Sequence, residues 1–327
     1  MVGAPGGRDL SESIALLGRI RRELGHAVVG QEEVVDQVLS CLVASGHVLL
    51  EGPPGLGKTL MVLALAQSFG GRFSRVQFTP DLMPADVTGH AVLDPTTGEF
   101  RIRKGPAFTN LLLADEINRA PAKTQAALLE VMQEMQVSIE GQALPLEGPY
   151  MVLATQNPLE HEGTYPLPEA QLDRFLMKVL IEHAKEKDEE LAVVRKVTTD
   201  RSAERLDVSS VDEVASAKEI LDLQAAAASL TVDERNLDYA VRIVRRTRRW
   251  PGIRVGAGPR GGIALVRVAR ARALLESRDY VTPDDIKGSA LPVLRHRILL
   301  APELEIEGRS PDDLLASLID DVQAPRT

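Results

Sequence analysis

The chain has 327 residues, of which 44% are apolar and 26% charged, and its formal net charge is −9. These fractions are ordinary for a soluble globular protein, and the length has room for about two domains. No apolar run is long enough to span a membrane, and residues 1–9 lack the apolar core of a signal peptide. The acidic balance argues against bulk binding of nucleic acid.

Cysteine and histidine usage bounds the chemistry further. Cys41 is the single cysteine of the chain, which excludes an internal disulfide and predicts a cytoplasmic protein. It lies on an apolar helical face, so we expect a buried hydrophobic residue rather than a reactive thiol. The six histidines are scattered without metal-ligand spacing, and we infer no structural zinc site.

The first part of the chain predicts two helices followed by a buried strand. Residues 1–10 are glycine-rich, and we expect them to be disordered. Apolar residues recur at helical spacing over residues 11–24 and again over residues 34–42, with the stretch Val28-Val29-Gly30 between them. A short apolar run at residues 47–50 then predicts a strand.

A glycine-rich segment follows this strand directly and precedes another apolar helical run. Its residues are Gly52, Pro53, Pro54, Gly55, Leu56, Gly57, Lys58 and Thr59, after which Leu60 continues the helix. Strand, glycine-rich turn and helix in this order are typical of a phosphate-binding P-loop. Backbone N–H groups can surround a phosphate there, Lys58 can reach the terminal phosphates, and the Thr59 hydroxyl can bind Mg²⁺. The segment predicts a nucleotide site.

The middle of the chain alternates strands with hairpins and one long helix. Strand-like runs cover residues 72–78, 111–114, 151–154 and 175–181. Hairpins are predicted at residues 90–106 and 137–149, since turn-forming residues interrupt each of these segments. Pro121 is placed to open the long helix.

The last part of the chain has an almost purely helical pattern, beginning at about Lys185. Thr231 begins a Thr-Val-Asp-Glu string that predicts a capping box, and Thr282 begins a close variant. We therefore place the boundary between an α/β domain and a helical domain near residues 184–190. No low-complexity linker separates the two parts, so we expect them to pack on each other.

Polar residues end two of the predicted strands. Asp115 and Glu116 close the strand at residues 111–114, an arrangement in which one carboxylate helps to hold Mg²⁺ and the next orients or deprotonates the attacking water. Asn157 follows the strand at residues 151–154 and could hold that water or the γ-phosphate. The ordinary alternatives are two solvated acids and an Asn-Pro turn. Together with the P-loop, the carboxylate pair favours the catalytic interpretation.

Five longer strings extend these signals along the chain. They are residues 113–120 (Leu-Ala-Asp-Glu-Ile-Asn-Arg-Ala), 125–130, 154–158 (Ala-Thr-Gln-Asn-Pro), 165–175 (Tyr-Pro-Leu-Pro-Glu-Ala-Gln-Leu-Asp-Arg-Phe) and 258–261 (Gly-Pro-Arg-Gly). With the P-loop, they resemble the MoxR family of AAA+ ATPases. The resemblance runs from about Ile20 to the C-terminus, and the strings around Asp115 and Asp173 are more specific than the P-loop.

The resemblance implies a fold and an assembly. The fold is α/β: an AAA+ P-loop core with a five-stranded parallel sheet, followed by an all-helical lid domain. Residues 1–10 would be the disordered N-terminus, residues 11–186 the nucleotide-binding core with two hairpin insertions, and residues 187–327 the lid. The cofactors implied are ATP and Mg²⁺, and the assembly implied is a homo-hexameric ring with ATP between subunits.

The resemblance also implies residue roles. Asn157 would be the sensor-one residue, Arg174 the arginine finger that reaches the neighbour's γ-phosphate, and Arg260 the sensor-two residue of the lid. The stretch Val28-Val29-Gly30 matches the place where AAA+ proteins pass the adenine, and Arg119 is a further candidate for contact with a neighbour. For Arg174 and Arg260 the alternative is a surface arginine in a modest ion pair within the chain.

The two hairpins resemble the helix-two insert and the pre-sensor hairpin of a clade that includes MoxR proteins, magnesium-chelatase motor subunits and McrB-type nuclease motors. The Gly-Ala-Phe-Thr-Gly-Ala loop of transcriptional activators in that clade is missing from residues 89–108, which counts against sigma-factor remodelling. The resemblance therefore implies an ATP-hydrolysing, chaperone-like motor that matures or activates protein complexes, often with a von Willebrand factor A domain partner. It does not identify the client.

Two alternatives stay open. One is a nucleic-acid-translocating motor, for which the only support is a helical arginine face formed by Arg242, Arg245, Arg246 and Arg249. A solvated or subunit-facing surface is the more ordinary interpretation of that face, and aromatic residues for base stacking make up only 3% of the chain. The other is a nucleotide switch that barely hydrolyses, against which an arginine finger counts.

Overall fold

The computed structural model describes residues 9–96, 98–158, 163–184, 186–198 and 206–325. The predicted disorder of residues 1–10 falls largely on residues 1–8, which lie outside the described residues. Asp9 and Leu10, the last two residues of the segment predicted to be disordered, are ordered, contrary to the prediction. The Asp9 side chain caps the first helix by accepting a hydrogen bond from the Ser11 backbone N–H, and Leu10 begins that helix.

The elements are as follows in chain order. The first part contains α1 (Leu10–Ala27), α2 (Glu32–Val43), β1 (Val48–Glu51), α3 (Lys58–Ser68), β2 (Phe73–Gln77), α4 (Pro84–Thr88), β3 (Gly89–Leu93), β4 (Phe100–Lys104) and β5 (Leu111–Asp115). A 3₁₀ turn (Ile117–Arg119) leads to α5 (Ala122–Glu134), β6 (Gln136–Ile139), β7 (Gln142–Pro145), β8 (Met151–Gln156), α6 (Glu169–Leu172) and β9 (Met177–Leu180). The C-terminal part contains α7 (Lys187–Thr198), α8 (Ala217–Ser229), α9 (Glu234–Thr247), β10 (Ile253–Val255), α10 (Pro259–Leu275), α11 (Pro283–Leu294), β11 (Leu299–Leu300), α12 (Pro302–Ile306) and α13 (Pro311–Asp321).

A five-stranded parallel sheet forms the centre of the first part, with strand order β2-β5-β8-β1-β9. Its inner strands are continuous apolar runs because helices cover both faces, as parallel sheets require. Residues 111–114 are fully buried, for example. This arrangement confirms the predicted α/β fold class and sheet.

Both predicted hairpins are confirmed. Strands β3 and β4 pair with Leu93 opposite Phe100, and strands β6 and β7 pair with Ile139 opposite Gln142. Glu140 and Gly141 both have positive φ, as a tight hairpin turn needs. The Phe100 side chain at the tip of the first hairpin is 74% exposed, so this hairpin projects an aromatic ring into solvent.

The C-terminal part is helical with one addition. Strands β10 and β11 form a short antiparallel ribbon that the helical pattern concealed. The Thr282 capping box is confirmed, since Thr282 and Asp285 bond reciprocally at the start of α11. The prediction at Thr231 is wrong: the N-cap of α9 is Asp233, which accepts from the Arg235 backbone N–H. Among the described helices, none combines the length and apolarity needed to cross a bilayer.

The two parts share one apolar core. A single cluster of buried side chains includes Leu17 of α1, Leu39 of α2 and Leu265 of α10. Cys41 is fully buried in this cluster, as predicted. The Arg267 guanidinium of α10 also donates to the backbone carbonyls of residues 44 and 45 after α2. The helical part therefore packs directly on the α/β part, while the boundary at residues 186 and 187 stays a prediction.

His47 is a buried polar residue that ties the sheet to α5. Its Nε2 lies 3.1 Å from the Met132 carbonyl oxygen, and its Nδ1 accepts a hydrogen bond of 3.0 Å from the Val152 N–H. Both nitrogens are satisfied by a neutral ring that carries its proton on Nε2. Burial lowers the pKa of His47 to about 4, and the hydrogen bond to Met132 opposes this only in part.

We expect His47 to make the stability of the protein depend on pH. Because its pKa is about 4 in the fold and near 6.5 in the unfolded chain, the unfolded chain takes up the proton first. The contribution is complete above pH 6.5 and is lost as the pH falls towards 4, by up to about 3 kcal/mol. Urea unfolding of the wild type and of His47→Gln should show a difference in free energy that shrinks over this range. A constant difference would contradict the buried neutral ring.

Candidate nucleotide-binding and hydrolysis site

The predicted P-loop forms the turn between β1 and α3. Gly55 and Gly57 adopt φ values of +84° and +76°, and an added Cβ at either position would meet no atom within 4 Å. Gly57 is the N-cap of α3, and no side chain caps this helix terminus. The first turn of α3 therefore has free backbone N–H groups and a positive dipole end, which suit the binding of an anion.

Gly52 has a different role in the same loop. An added Cβ there would lie 2.2 Å from the backbone carbonyl oxygen of Ile181, which follows β9. Such a contact is closer than any side chain tolerates, and neither backbone can move away without disturbing the sheet. Gly52 thus fixes the start of the loop beneath the chain that leaves β9.

Lys58 begins α3 and folds back over the loop. Its Nζ donates to the Gly52 carbonyl oxygen at 2.5 Å. Burial lowers the pKa of the Lys58 ammonium, while the charges of Asp115, Glu116 and Glu51 oppose that change. The ammonium group therefore lies within the field of Asp115, which ends β5, and of Glu116, which follows it. Thr59 and Leu60 continue the first turn of α3 beside it.

Asp115 ends β5 and is held from two sides. Its Oδ1 accepts a hydrogen bond of 2.6 Å from the Thr155 hydroxyl of β8, and its Oδ2 pairs with Arg75 of β2 at 2.5 Å. The register places Asp115 opposite Gln77 of β2. Its orientation is therefore set by both neighbouring strands, which is what a ligand of Mg²⁺ needs.

Glu116 is the most constrained residue of the site. Its backbone is left-handed, with φ +54° and ψ +52°, and its N–H donates to Thr155 Oγ1 at 2.8 Å. A left-handed conformation costs a non-glycine residue about 1 kcal/mol. Its Oε2 accepts from Gln77 Nε2 at 2.7 Å and from Arg119 at 3.0 Å. Arg119, predicted as a candidate contact to a neighbour, thus binds Glu116 within the chain.

Asn157 follows β8 at the same edge of the sheet. It lines a cavity of about 230 Å³ together with Glu51, Gln156 and Asn118. Glu51 and Gln156 are partners in the sheet register, so this cavity lies at the carboxyl ends of β1 and β8. The sheet therefore brings Asn157 to the same edge as the P-loop and Asp115.

Arg174 lies elsewhere in the chain. Its guanidinium donates to the Leu129 carbonyl oxygen of α5 at 2.8 Å and lines a cavity of about 270 Å³ with Glu130 and Gln171. This cavity contains no residue of the P-loop. Within the described residues no carboxylate forms an ion pair with Arg174, so the modest intrachain ion pair is not what holds it. The Arg174 guanidinium therefore contacts α5.

Arg260 lies in the first turn of α10, as expected for a sensor-two arginine. Its nearest acid is Asp173, with 3.8 Å between Nη1 and Oδ2, and its side chain is 55% exposed. The stretch Val28-Val29-Gly30 joins α1 to α2. Gly30 adopts φ +72°, and a Cβ added there would lie 3.2 Å from the Cβ of Glu189. This stretch therefore faces the start of α7.

The arginine face of α9 has acidic partners within the chain. Arg242 pairs with Asp238 at 2.7 Å and donates to the Gln323 carbonyl oxygen, while Arg246 pairs with Asp321 at 2.8 Å. Two of the four arginines are thus paired with acids, Arg242 with Asp238 of α9 itself and Arg246 with Asp321 at the end of α13, which weakens the value of this face as a nucleic-acid surface.

Comparison with known proteins agrees with this geometry. One family model, described as the ATPase family associated with various cellular activities (AAA), matches residues 47–177, and an AAA lid domain model matches residues 245–318. The chain is 41% identical to Chaperone MoxR1 of Mycobacterium tuberculosis, over 98% of this chain and 86% of that protein. It is 33% identical to Protein MoxR of Methylorubrum extorquens, over 98% of both.

This chain belongs to the MoxR family of AAA+ ATPases. The crystal structure of a candidate ATPase from Cytophaga hutchinsonii has the same fold, with a TM-score of 0.89 and 40% identity over 97% of this chain and 98% of that one. Family membership makes the protein an ATPase.

Three residues that contact the carboxylates of this MoxR-family site are absent from the sequence predictions. Thr155 bonds both Asp115 and Glu116, Arg75 pairs with Asp115, and Gln77 bonds Glu116. A threonine within the otherwise apolar run of β8 was a visible signal for the first. Arg75 and Gln77 carried no such signal, because only the order of the strands brings β2 next to β5.

The two loop glycines of this ATPase should respond differently to the same substitution. Gly52→Ala forces a Cβ against a backbone carbonyl and should cost about 3 kcal/mol, whereas Gly55→Ala only strains φ and should cost about 1 kcal/mol. Urea unfolding of the nucleotide-free variants measures both. A Gly52→Ala variant at least as stable as Gly55→Ala would contradict the close approach of Ile181.

Proposed function

We propose that this protein is a Mg²⁺-dependent ATP-hydrolysing motor that remodels or matures protein complexes in a chaperone-like way. The observation that carries the proposal is the joint fixation of Asp115 and Glu116 by the Thr155 hydroxyl, within the field of Lys58. The chaperone role is suggested by the name of a relative that is 41% identical over nearly the whole chain.

The residues present fit ATP and Mg²⁺. The open, uncapped start of α3 suits the phosphates, and hydroxyl and carboxylate oxygens from Thr59 and Asp115 are ligands that Mg²⁺ prefers. When bound, Mg²⁺ would neutralise charge on the β- and γ-phosphates. The Lys58 ammonium now donates to a neutral acceptor, the Gly52 carbonyl oxygen. It would leave this oxygen to bind the same phosphates, because they are charged.

Glu116 would orient and deprotonate the attacking water. Its Oε2 is occupied by Gln77 and Arg119, so at least one of these hydrogen bonds has to yield before that oxygen can accept from a water. Asn157, at the end of β8, would hold the water or the γ-phosphate from the other side. Arg174 would complete the site of a neighbouring subunit, and Arg260 would report the phosphate state to the lid.

We further propose a homo-hexamer, because the Arg174 guanidinium binds α5 and no P-loop residue among the described residues, and a ring would bring it to the phosphate site of a neighbour. The family resemblance suggests a partner with a von Willebrand factor A domain. A cytoplasmic location follows from the single, buried Cys41. The acidic partners of the α9 arginines favour this proposal over the nucleic-acid motor.

Two substitutions should separate binding from hydrolysis. Lys58→Ala should lose ATP binding, and Glu116→Gln should bind ATP while its turnover falls by about a hundred-fold, because an amide cannot take a proton from water. Glu147→Gln is the matched control, since Glu147 is an exposed acid whose partner is Arg72. Equilibrium binding of a fluorescent ATP analogue and phosphate release measure the two steps. Wild-type turnover in Glu116→Gln would refute the assignment.

The partner should be captured by the ATP-bound state. Glu116→Gln held in ATP should retain a protein containing a von Willebrand-type domain from nuclease-treated host lysate, and Lys58→Ala should not. Mass spectrometry of both eluates gives the comparison. Stimulation of the wild-type ATPase by DNA, or a capture that ignores nucleotide state, would favour the motor or the switch instead.

A further inference from the structure

The lid is hydrogen-bonded to residues 173–178, the segment that contains Arg174. Three consecutive residues after α11, Arg295, His296 and Arg297, contact the backbone between α6 and the middle of β9, and we call these three residues the clasp. Arg295 Nη1 donates to the Lys178 carbonyl oxygen at 3.1 Å, and His296 Nε2 lies 3.1 Å from the Phe175 carbonyl oxygen. The side chains of the clasp therefore join the helical part to main-chain carbonyls of the segment that contains Arg174.

Arg297 makes most of these contacts. Its Nε donates to Asp173 Oδ1 at 2.8 Å, its Nη2 to the carbonyl oxygens of Phe175 at 2.6 Å and Asp173 at 3.3 Å, and its Nη1 to that of Leu176 at 3.1 Å. Its side chain is only 3% exposed. A buried guanidinium is stable only while its partners satisfy it, so this contact resists displacement.

Arg174 sits between residues that Arg297 holds. The carbonyls of Asp173 and Phe175, on either side of it, both accept from the same guanidinium. The Arg174 guanidinium itself donates to the Leu129 carbonyl oxygen of α5. The carbonyls on both sides of Arg174 are therefore bound by the lid, while the Arg174 guanidinium has one hydrogen-bond partner among the described residues, the Leu129 carbonyl oxygen.

Asp173 connects the same contact to the other lid arginine. Its Oδ1 binds Arg297 at 2.8 Å, and its Oδ2 faces Arg260 at 3.8 Å. One arginine at the start of α10 and another after α11 thus meet at the carboxylate that precedes Arg174. Any movement of α10 or α11 relative to the sheet acts directly on this residue.

We propose that Arg297 is a positioning residue for ATP hydrolysis in the neighbouring subunit. It fixes the backbone of Arg174, so that the finger's placement follows the lid of its own subunit. The inference rests on the trans role proposed above for Arg174. It predicts that loss of Arg297 damages the finger that a subunit offers, and leaves intact the site in which that subunit binds its own ATP.

Mixed rings test this directly. A Glu116→Gln subunit keeps its finger but cannot hydrolyse, whereas an Arg174→Ala subunit keeps its site but offers no finger. If the finger acts in trans, mixing these two inactive variants restores activity. At equal amounts the rate should reach about a quarter of wild type, because about one interface in four then pairs an intact site with an intact finger.

Arg297→Gln should behave as Arg174→Ala does. Alone, it should lose about a hundred-fold in kcat, since misplacing a reacting group by an ångström has that effect. Mixed with Glu116→Gln it should recover to the same level as the Arg174→Ala mixture. Mixed with Arg174→Ala it should recover nothing, because neither subunit then offers a working finger.

The outcomes separate the two claims. Failure of the Arg174→Ala and Glu116→Gln mixture would refute the trans finger itself. Recovery of that mixture without recovery of Arg297→Gln and Glu116→Gln would overturn the positioning role and leave the finger standing. Full activity of Arg297→Gln on its own would also overturn it.

Two further variants guard against a simple folding defect. Arg278→Gln breaks another arginine–aspartate pair of the lid, in which buried Asp285 lies 2.6 Å from the guanidinium. This variant should have a lower thermal midpoint but should hydrolyse ATP on its own, without mixing with Glu116→Gln. If calorimetry shows that Arg297→Gln does not fold, Asp173→Asn decides the question. A lowered rate restored by Glu116→Gln supports the proposal, and an unaffected or unrestored rate overturns it.

Discussion

The parallel register of the sheet is the constraint on which the site depends. Because all five strands run the same way, their carboxyl ends meet at one edge. The P-loop after β1, Asp115 at the end of β5 and Asn157 after β8 reach that edge from three separate parts of the chain. Covering helices make the inner strands β1, β5 and β8 largely apolar, and the polar side chains of these three strands lie at their carboxyl ends. The fold thereby brings the candidate site residues together at one edge of the sheet.

At that edge, the Thr155 hydroxyl positions both acidic residues. A hydroxyl is both donor and acceptor, so one atom can bind the Asp115 carboxylate and the Glu116 N–H together. The second of these bonds helps to hold Glu116 in a left-handed conformation that it would not adopt alone. Strain of this kind persists where surrounding contacts outweigh it, and here Gln77 and Arg119 hold the Glu116 carboxylate as well.

The lid is linked to the core in two chemically different ways. Apolar packing of α10 on α1 and α2 is broad and indifferent to small shifts, whereas the clasp is a set of directional hydrogen bonds to one short segment. Directional bonds transmit displacement, because their energy falls steeply with distance and angle. The segment around Arg174 lies in the α/β part by sequence, but its hydrogen bonds couple it to the helical part as well.

The sequence alone determined the elements and the chemistry that lies within one short string. Hydrophobic periodicity located the strands, both hairpins and the helical C-terminal part, and the P-loop and Asp115-Glu116 identified a nucleotide site, because such signals depend on neighbours along the chain. Only the tertiary structure supplied Arg75, Gln77 and the clasp. These contacts join residues from about 40 to more than 120 positions apart, and the order of strands and the seating of the lid that create them leave no mark on local pattern.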